Sequence, residues 1–368
     1  MRNSGDSALH HSSTQAANDL LRPRAEVNRP SCFRSRSFFF LKTATCIVVL
    51  LICRLSAQNY PKATISNGIL RAEFMLPNYP NGSYQGTRFD WSGIISSLQY
   101  EGHEYFGQWY EHHDPKIHDA ITGPVEEFRT NDSAIGYDET KPGGAFMRIG
   151  VGTVRKPEET AYRPYSTYEI VDPGKWTIRE HKDHIEFQHK LKSDDGYAYV
   201  YTKTVRLVKG KPRMVIEHTL RNTGSKVIES TQYNHNFFVI DHEVVGPDVV
   251  AKFVFTPNPV RGFSDRAEVR GPEIVFPHEL QDKKGVFTEL AGAGTEVKDY
   301  DFRLENVKTG AGVHITSDQP LLKVNFWAIR TVAVVEPYIQ MKIEPGQQKQ
   351  WTIYYDFYTV PPASTASK

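Results

Sequence analysis

From about Tyr60 onward, the sequence is a succession of short runs in which apolar and polar residues alternate. Such alternation places the apolar side chains on one face of a β-strand. The run YAYVYTKTVRLV, a Gly-Lys-Pro turn and the run RMVIEHTLRN follow one another and predict a β-hairpin. Helical periodicity does not extend beyond two turns, with one short stretch near FPHELQDKKG as the exception. The pattern therefore predicts an all-β fold, a large antiparallel β-sandwich.

Clusters of turn-forming residues, such as PNYPNGSYQG, DETKPGGA and EPGQQ, separate these runs. The runs show no repeat of fixed period and no long linker, and a β-sandwich of more than about 200 residues can form a single domain. We therefore expect one sandwich domain over residues 58–361, followed by a disordered tail at residues 362–368.

The first 57 residues have a different composition, and they contain all three cysteines of the chain. A basic run ending at Lys42 precedes an apolar stretch at residues 44–53 and the small residues Ser56 and Ala57. This order is typical of a signal peptide that is cleaved after Ala57, and the apolar stretch is short for a membrane span. We expect a periplasmic or secreted protein whose folded part has no disulfide and no thiolate metal site. An uncleaved N-terminal anchor is the alternative.

The charges of the chain are balanced, with 44 lysines and arginines against 43 aspartates and glutamates. A chain with almost no net charge lacks the positive electrostatic field that attracts a polyanion, so we expect no nucleic acid as a partner. Aromatic residues make up 12% of the sequence, which suits either sheet packing or stacking against sugar faces. A neutral small molecule fits this composition better than a charged polymer does.

The segment TQYNHNFFVIDH places His235 between Asn234 and Asn236 in a sequence that otherwise reads as a strand. One interpretation is a hydrogen-bonded histidine at a strand end, with the asparagines marking a turn. The other is a proton donor that the neighbouring amides hold in one tautomer at the rim of a cleft.

A second segment, VAVVEPYIQMKIEPG, ends an apolar run in Glu336, directly before a proline. A carboxylate at the end of a buried strand is costly unless other groups satisfy it, whereas one that leaves the sheet into water is not. If Glu336 is partly buried, we expect its pKa to be raised.

In their order along the chain, these segments resemble the aldose 1-epimerase (galactose mutarotase) superfamily. NHNFF is similar to the family's Asn-His segment that precedes aromatic residues, with Asn236 in place of a hydroxyl residue. VVEP is similar to the strand that ends in the family's catalytic glutamate, and GAGVHITSDQPLLKVNFW is similar to a segment between the two. The family's LHGG-like and arginine-rich glycine segments are missing, which puts specificity for an aldohexose in doubt.

The resemblance implies a β-sandwich isomerase that needs no cofactor and interconverts the anomers of a free sugar. His235 would be the general acid and Glu336 the general base. A sugar-binding role is implied for residues at the matching segments, which are Asn234, Asp301 in DYDFRLEN, and His118 or His113 in EHHDPKIHD. Glu126 in GPVEEF is a further candidate for binding a sugar hydroxyl. The GPVEEF segment otherwise predicts an exposed carboxylate pair, and the EHHDPKIHD segment lacks the spacing that defines a metal site.

Two other functions remain open, because a fold does not determine a function. One is a noncatalytic carbohydrate-binding protein, and the other is a lyase or hydrolase that acts on a polysaccharide. For the isomerase, the expected partner is a small carbohydrate, the protein is a monomer, and the membrane is involved only through an uncleaved leader. A sugar phosphate is disfavoured, because the expected location is extracellular and the sequence shows no arginine cluster for a phosphate.

Overall fold

The computed structural model of the protein describes residues 59–130, 133–281 and 284–361. These residues form twenty-three β-strands and two short 3-10 helices, with no α-helix among them. The described part of the FPHELQDKKG stretch is not helical. The predicted leader at residues 1–57 and the predicted tail at residues 362–368 lie outside the described residues.

The largest sheet has ten strands, and every neighbouring pair in it is antiparallel. Its strands are, in spatial order, β16 (Glu268–Arg270), β17 (Glu273–Val275), β14 (Val249–Phe253), β19 (Asp301–Asn306), β20 (Ala311–Ser317), β23 (Gln348–Thr359), β12 (Arg213–Asn222), β11 (Ala198–Leu207), β10 (His184–Lys192) and β9 (Lys175–Glu180). Strands β11 and β12 form the hairpin that the sequence predicts.

A six-stranded antiparallel sheet forms the second large layer. Its strands are, in spatial order, β15 (Asn258–Pro259), β18 (Val286–Ala291), β21 (Lys323–Ile329), β22 (Val332–Ile343), β13 (Ile228–Phe237) and β5 (Gly123–Arg129). The two segments with the predicted catalytic residues are thus neighbouring strands, because β13 and β22 pair directly.

Two smaller sheets and the two 3-10 helices complete the fold. The strands of these sheets are β1 (Lys62–Ser66), β2 (Arg71–Met75), β3 (Ile94–Tyr100) and β4 (His103–Glu104) in one, and β6 (Ala145–Arg148), β7 (Gly152–Arg155) and β8 (Ile170–Asp172) in the other. The helices are η1 (Ile240–His242) and η2 (Val297–Asp299).

The main hydrophobic core joins the two large sheets, as expected for a sandwich. Phe128 of the six-stranded sheet, for example, meets the ring of Trp351 in the ten-stranded sheet edge-on, with centroids 6.4 Å apart. The predicted all-β sandwich is therefore confirmed.

The alternation of side chains along each strand divides the polar residues of the six-stranded sheet between two faces. On β13, Asn234 and Asn236 point toward the ten-stranded sheet, because both bond to groups on that side. His235 and Tyr233 project from the opposite face, which we call the outer face. The site described below lies on this outer face.

Candidate active site

The two predicted catalytic side chains are in direct contact. The Nε2 atom of His235 lies 3.1 Å from Oε1 of Glu336, and each side chain is only 5% exposed. Strand β13 presents the histidine and the adjacent strand β22 presents the glutamate. Pairing of the two strands therefore joins residues that are far apart in the sequence.

Aromatic rings surround the imidazole of His235. Phe237 stacks on it with centroids 3.9 Å apart, and Phe89 and Trp327 meet it edge-on at 5.5 Å each. Its Nδ1 atom is buried and has no hydrogen-bond partner among the described residues. Because a carboxylate faces Nε2, this geometry places a proton on Nε2.

The neighbouring asparagines do not hold His235, so that part of the prediction is wrong. Asn234 donates to Oε1 of Glu126 at 2.9 Å. Asn236 donates to the carbonyl oxygen of Val335 at 2.9 Å and accepts from the hydroxyl of Tyr355 at 2.8 Å. Residues next to each other on a strand point to opposite faces, so a histidine and its flanking asparagines cannot share one pocket.

The second oxygen of Glu336 is held more loosely than the first. Asn325 Nδ2 lies 3.3 Å from Oε2, and the Tyr338 hydroxyl lies 3.4 Å from it. Burial opposes ionisation of Glu336, but His235 and Arg88 outweigh that effect and hold its pKa below the usual value. The expectation of a raised pKa is therefore wrong, because it considered burial without the histidine and the arginine that the fold brings close.

A cluster of arginines lies beside this pair, around the carboxylate of Glu127. Arg88 Nε lies 2.9 Å from Oε2, and Arg129 Nε and Arg148 Nη2 lie 2.7 and 3.6 Å from Oε1. The Tyr233 hydroxyl donates to the same carboxylate. Although Glu127 is fully buried, the three guanidinium groups hold its pKa well below the usual value. The sequence did not reveal this arginine cluster, and the structure shows it paired with a protein carboxylate.

Glu126, the neighbour of Glu127, lies on the inner face of the sheet in a second buried network. It forms an ion pair with Lys203, and its Oε1 atom lies 3.0 Å from Nε2 of His218. Lys203 also lies 2.9 Å from Asp90, and all four side chains are wholly buried. The prediction of an exposed carboxylate pair is therefore wrong, since each carboxylate is buried on its own side of β5.

An open cleft of about 620 Å³ borders the outer-face cluster, and Glu336, Asn325, Tyr338 and Tyr233 line it. Its charged lining residues are Arg88, Arg129, Arg261, Lys323, Glu289 and Glu336. Four further lining residues are apolar and exposed, namely Tyr165, Val260, Phe287 and Leu322. Exposed apolar groups next to fixed polar groups are typical of a ligand site, and they suit the C–H faces of a sugar ring.

The other predicted sugar-binding residues lie at different distances from this cleft. His118 Nε2 lies 2.9 Å from Asp119, which binds Arg88, and its ring lies 5.2 Å from that of Tyr165. It therefore contacts one residue that lines the cleft, Tyr165.

His113, Asp301, Asn234 and Glu126 do not line the cleft. His113 lines a separate cavity of about 300 Å³ and faces the carbonyl oxygen of Ser83. Asp301 is on β19 of the ten-stranded sheet, where His314 and Arg303 contact it. Asn234 and Glu126 are buried together on the inner face.

Sequence reasoning missed most residues that line the cleft, including Arg88, Arg129, Tyr233, Asn325 and Tyr338. One signal was available in GPVEEFRT, where two adjacent carboxylates occur inside a strand pattern. Adjacent strand residues face opposite ways, so one of the two had to point inward and needed a buried cation.

No group of three or more histidine, cysteine, aspartate or glutamate side chains suited to a metal ion occurs in residues 59–130, 133–281 and 284–361. Over the same residues, no helix has the length and apolar character needed to cross a membrane.

No protein-family model and no curated protein sequence matches this chain. Among solved structures, the fold is similar to that of a galactose mutarotase-like protein from Lactobacillus casei ATCC 334, with a TM-score of 0.50 and 13% identity over 81% of this chain and 100% of that chain. A galactose mutarotase-like protein from Clostridium acetobutylicum gives a TM-score of 0.50 and 11% identity over 81% of this chain and 95% of that chain. At such low identity the likeness concerns the fold alone. The chain therefore has the galactose mutarotase-like fold, the β-sandwich that its sequence pattern predicted.

Proposed function

We propose that the protein is a carbohydrate-active isomerase of the aldose 1-epimerase type, which interconverts the anomers of a free sugar in the cleft beside Glu336. The observation that carries this proposal is the 3.1 Å contact between His235 and Glu336 at the wall of the cleft. The solved structures of similar fold are described as galactose mutarotase-like, which supports the same assignment.

The chemistry explains why an acid and a base must lie side by side. In a cyclic sugar, the anomeric hydroxyl and the ring oxygen are both bonded to C1, so the groups that serve them must be neighbours. Glu336 takes the proton from the anomeric hydroxyl while His235, in its imidazolium form, gives the Nε2 proton to the ring oxygen and becomes a neutral imidazole. The bond between C1 and the ring oxygen then breaks, and the C1 carbonyl forms.

The open-chain aldehyde rotates about its bond to C2, and the ring closes on the other face of the carbonyl. In this step the histidine takes back its proton and the glutamic acid returns its own to the anomeric oxygen. No group other than the two side chains gains or loses a proton over the cycle. Each well-placed acid or base contributes roughly 10²- to 10⁴-fold to the rate.

Glu336 lines the cleft, whereas His235 contacts Glu336 and is not among the lining residues. Oε2 is the carboxylate oxygen with the longer hydrogen bonds, at 3.3 and 3.4 Å, so it accepts the sugar proton. To protonate the ring oxygen, the imidazole of His235 has to rotate its Nε2 proton away from Oε1 and toward the cleft. The lowered pKa keeps Glu336 ionised and ready to act as a base.

A noncatalytic carbohydrate-binding protein is the second candidate. It is favoured by the same contact, because a histidine already bonded to Glu336 and shielded by Phe237 also stabilises a binding wall. The two functions differ in whether the bound sugar exchanges its anomers.

The test is anomer exchange by saturation-transfer NMR, with the protein from residue 58 onward and a panel of free sugars. We expect accelerated exchange that is lost in both Glu336→Gln and His235→Ala. Glu344→Gln is the matched control, because Glu344 has a side chain that is 58% exposed and lies just beyond the end of β22. Binding without exchange would support the noncatalytic carbohydrate-binding protein, and full activity of Glu336→Gln would contradict the proposed mechanism.

A further inference from the structure

We infer that the sugar bound in this cleft is anionic and carries a carboxylate away from C1, as in a uronic acid. This inference rests on the proposed function, since it names the substrate class for the same site. It is carried by the cationic groups of the cleft that have free hydrogen-bond donors, by the charge balance of the site and by its apolar surfaces.

Arg261 is the main cation in the argument. It lines the cleft and is exposed, and its guanidinium lies 5.6 Å above the ring of Phe287. Its side chain has no carboxylate partner within the part of the chain that the structure describes. Arginine presents a planar array of donors that matches a carboxylate in a bidentate pair.

Arg129 adds a second group of donors to the same cleft. Its Nε and Nη2 atoms bind Glu127 at 2.7 and 3.2 Å, while its Nη1 atom has no hydrogen bond to a described residue. By contrast, each nitrogen of Arg88 already has a protein partner, because Nε binds Glu127, Nη1 binds Asp119 and Nη2 binds the Tyr233 hydroxyl. Arg129 is therefore the paired arginine with a whole nitrogen, Nη1, available to donate to a ligand.

The charge balance favours a negatively charged ligand. Apart from histidines, the cleft and the groups bonded to it hold five cations, which are Arg88, Arg129, Arg148, Arg261 and Lys323. They hold four anions, which are Asp119, Glu127, Glu289 and Glu336. Even without the histidines, the excess of one positive charge favours an anionic ligand over a neutral one.

The apolar residues show that the anion belongs to a larger molecule. Tyr165 and Phe287 line the cleft with side chains that are 57% and 45% exposed, beside Val260 and Leu322. A free inorganic anion forms no favourable apolar contacts with these surfaces, whereas the C–H faces of a sugar ring can pack on them. A sugar with a carboxylate can contact both the apolar residues and the arginines of the cleft.

The test is the dissociation constant of each sugar, measured by NMR titration, which does not depend on catalysis. The probes are glucuronate and galacturonate, their neutral counterparts glucose and galactose, and glucose 6-phosphate. We expect each uronate to bind about 10- to 100-fold more tightly than its neutral counterpart, as a charged hydrogen-bonded pair predicts. We also expect this preference to shrink as salt is added.

Arg261→Gln is expected to reduce the preference for uronates by about 10-fold, and Arg261→Lys to retain part of it. The matched control is Arg270→Gln, since Arg270 is exposed, pairs only with Glu268 and does not line the cleft. Because Arg261 is exposed, its replacement should leave the fold intact.

Three results would overturn the inference: equal binding of neutral and anionic sugars, undiminished preference in Arg261→Gln, or no binding of either uronate. Tighter binding of glucose 6-phosphate than of either uronate would overturn the carboxylate assignment. Anomer exchange in the same samples separates the two proposals. Selective binding of uronates without exchange refutes the isomerase alone, and exchange of all sugars with equal affinities refutes only the substrate class.

Discussion

Replacing Glu127 with glutamine is expected to destabilise the protein strongly, because this one carboxylate neutralises a buried arginine cluster. Arg129 and Arg148 form no other ion pair among the described residues, whereas Arg88 also binds Asp119. The substitution therefore leaves two largely buried guanidinium groups without a carboxylate. Removing one partner of a buried ion pair costs about 3–5 kcal/mol in the free energy of unfolding.

The assay is urea unfolding of the native protein and the variant at several pH values, with thermal unfolding as a second measurement. We expect a lower urea midpoint with an unchanged slope, and a Tm lower by about 6–10 °C, at roughly 2 °C per kcal/mol for a domain of this size. The matched control is Glu217→Gln, since the pair of Glu217 with Arg206 is 47% and 40% exposed. Such a surface pair contributes about 0–1 kcal/mol.

The pH dependence of the destabilisation by Glu127→Gln provides an independent test. The pKa of Glu127 is lowered in the folded state, so its contribution to stability is fully present above the unfolded value near 4.5 and is lost as the pH falls toward the folded value. The difference between native protein and variant should therefore be constant at neutral pH and shrink below about pH 4.5. A difference below about 1 kcal/mol, or one that grows in acid, would refute this reasoning.

Three further predictions concern the catalytic pair, the inner network and the apolar lining. Because the pKa of Glu336 is lowered, protonation of its carboxylate should reduce kcat/KM for anomer exchange only below about pH 4.5. A fall in kcat/KM centred above that pH in the NMR exchange assay would contradict this. Lys203→Met should lower the free energy of unfolding by about 3–5 kcal/mol in urea, because it leaves Asp90 and Glu126 buried without their lysine. Tyr165→Ala should raise KM about 2- to 10-fold with kcat and Tm unchanged, and a fall in kcat alone would argue against a stacking role.

The β-architecture could be predicted because alternation is a local property of the chain. On β11, the spacing places Tyr199, Tyr201, Lys203 and Val205 on one face, and all four are buried in the structure. The same spacing gives no partner for the lysine. Its carboxylates come from Asp90, in the loop between β2 and β3, and from Glu126 on β5, and only the tertiary packing brings them together.

The candidate site was predicted in part. His235 and Glu336 were identified by the order of their segments, but their neighbours were not. Asn234 was assigned to the site because it precedes His235, and strand geometry places it on the opposite face. Arg88 and Arg129 were missed because their common partner, Glu127, lies on a strand whose pairing with β13 no local pattern reveals.

The sequence by itself determined what depends on near neighbours, namely which segments become strands and which face of each strand is apolar. Tertiary structure alone decided what depends on strand order and register, because those set which distant side chains share a face. The contact between His235 and Glu336, the three arginines around Glu127 and the direction of each pKa shift belong to this second group. A pKa responds to charges within a few ångströms, and here those charges come from strands that the sequence does not place side by side.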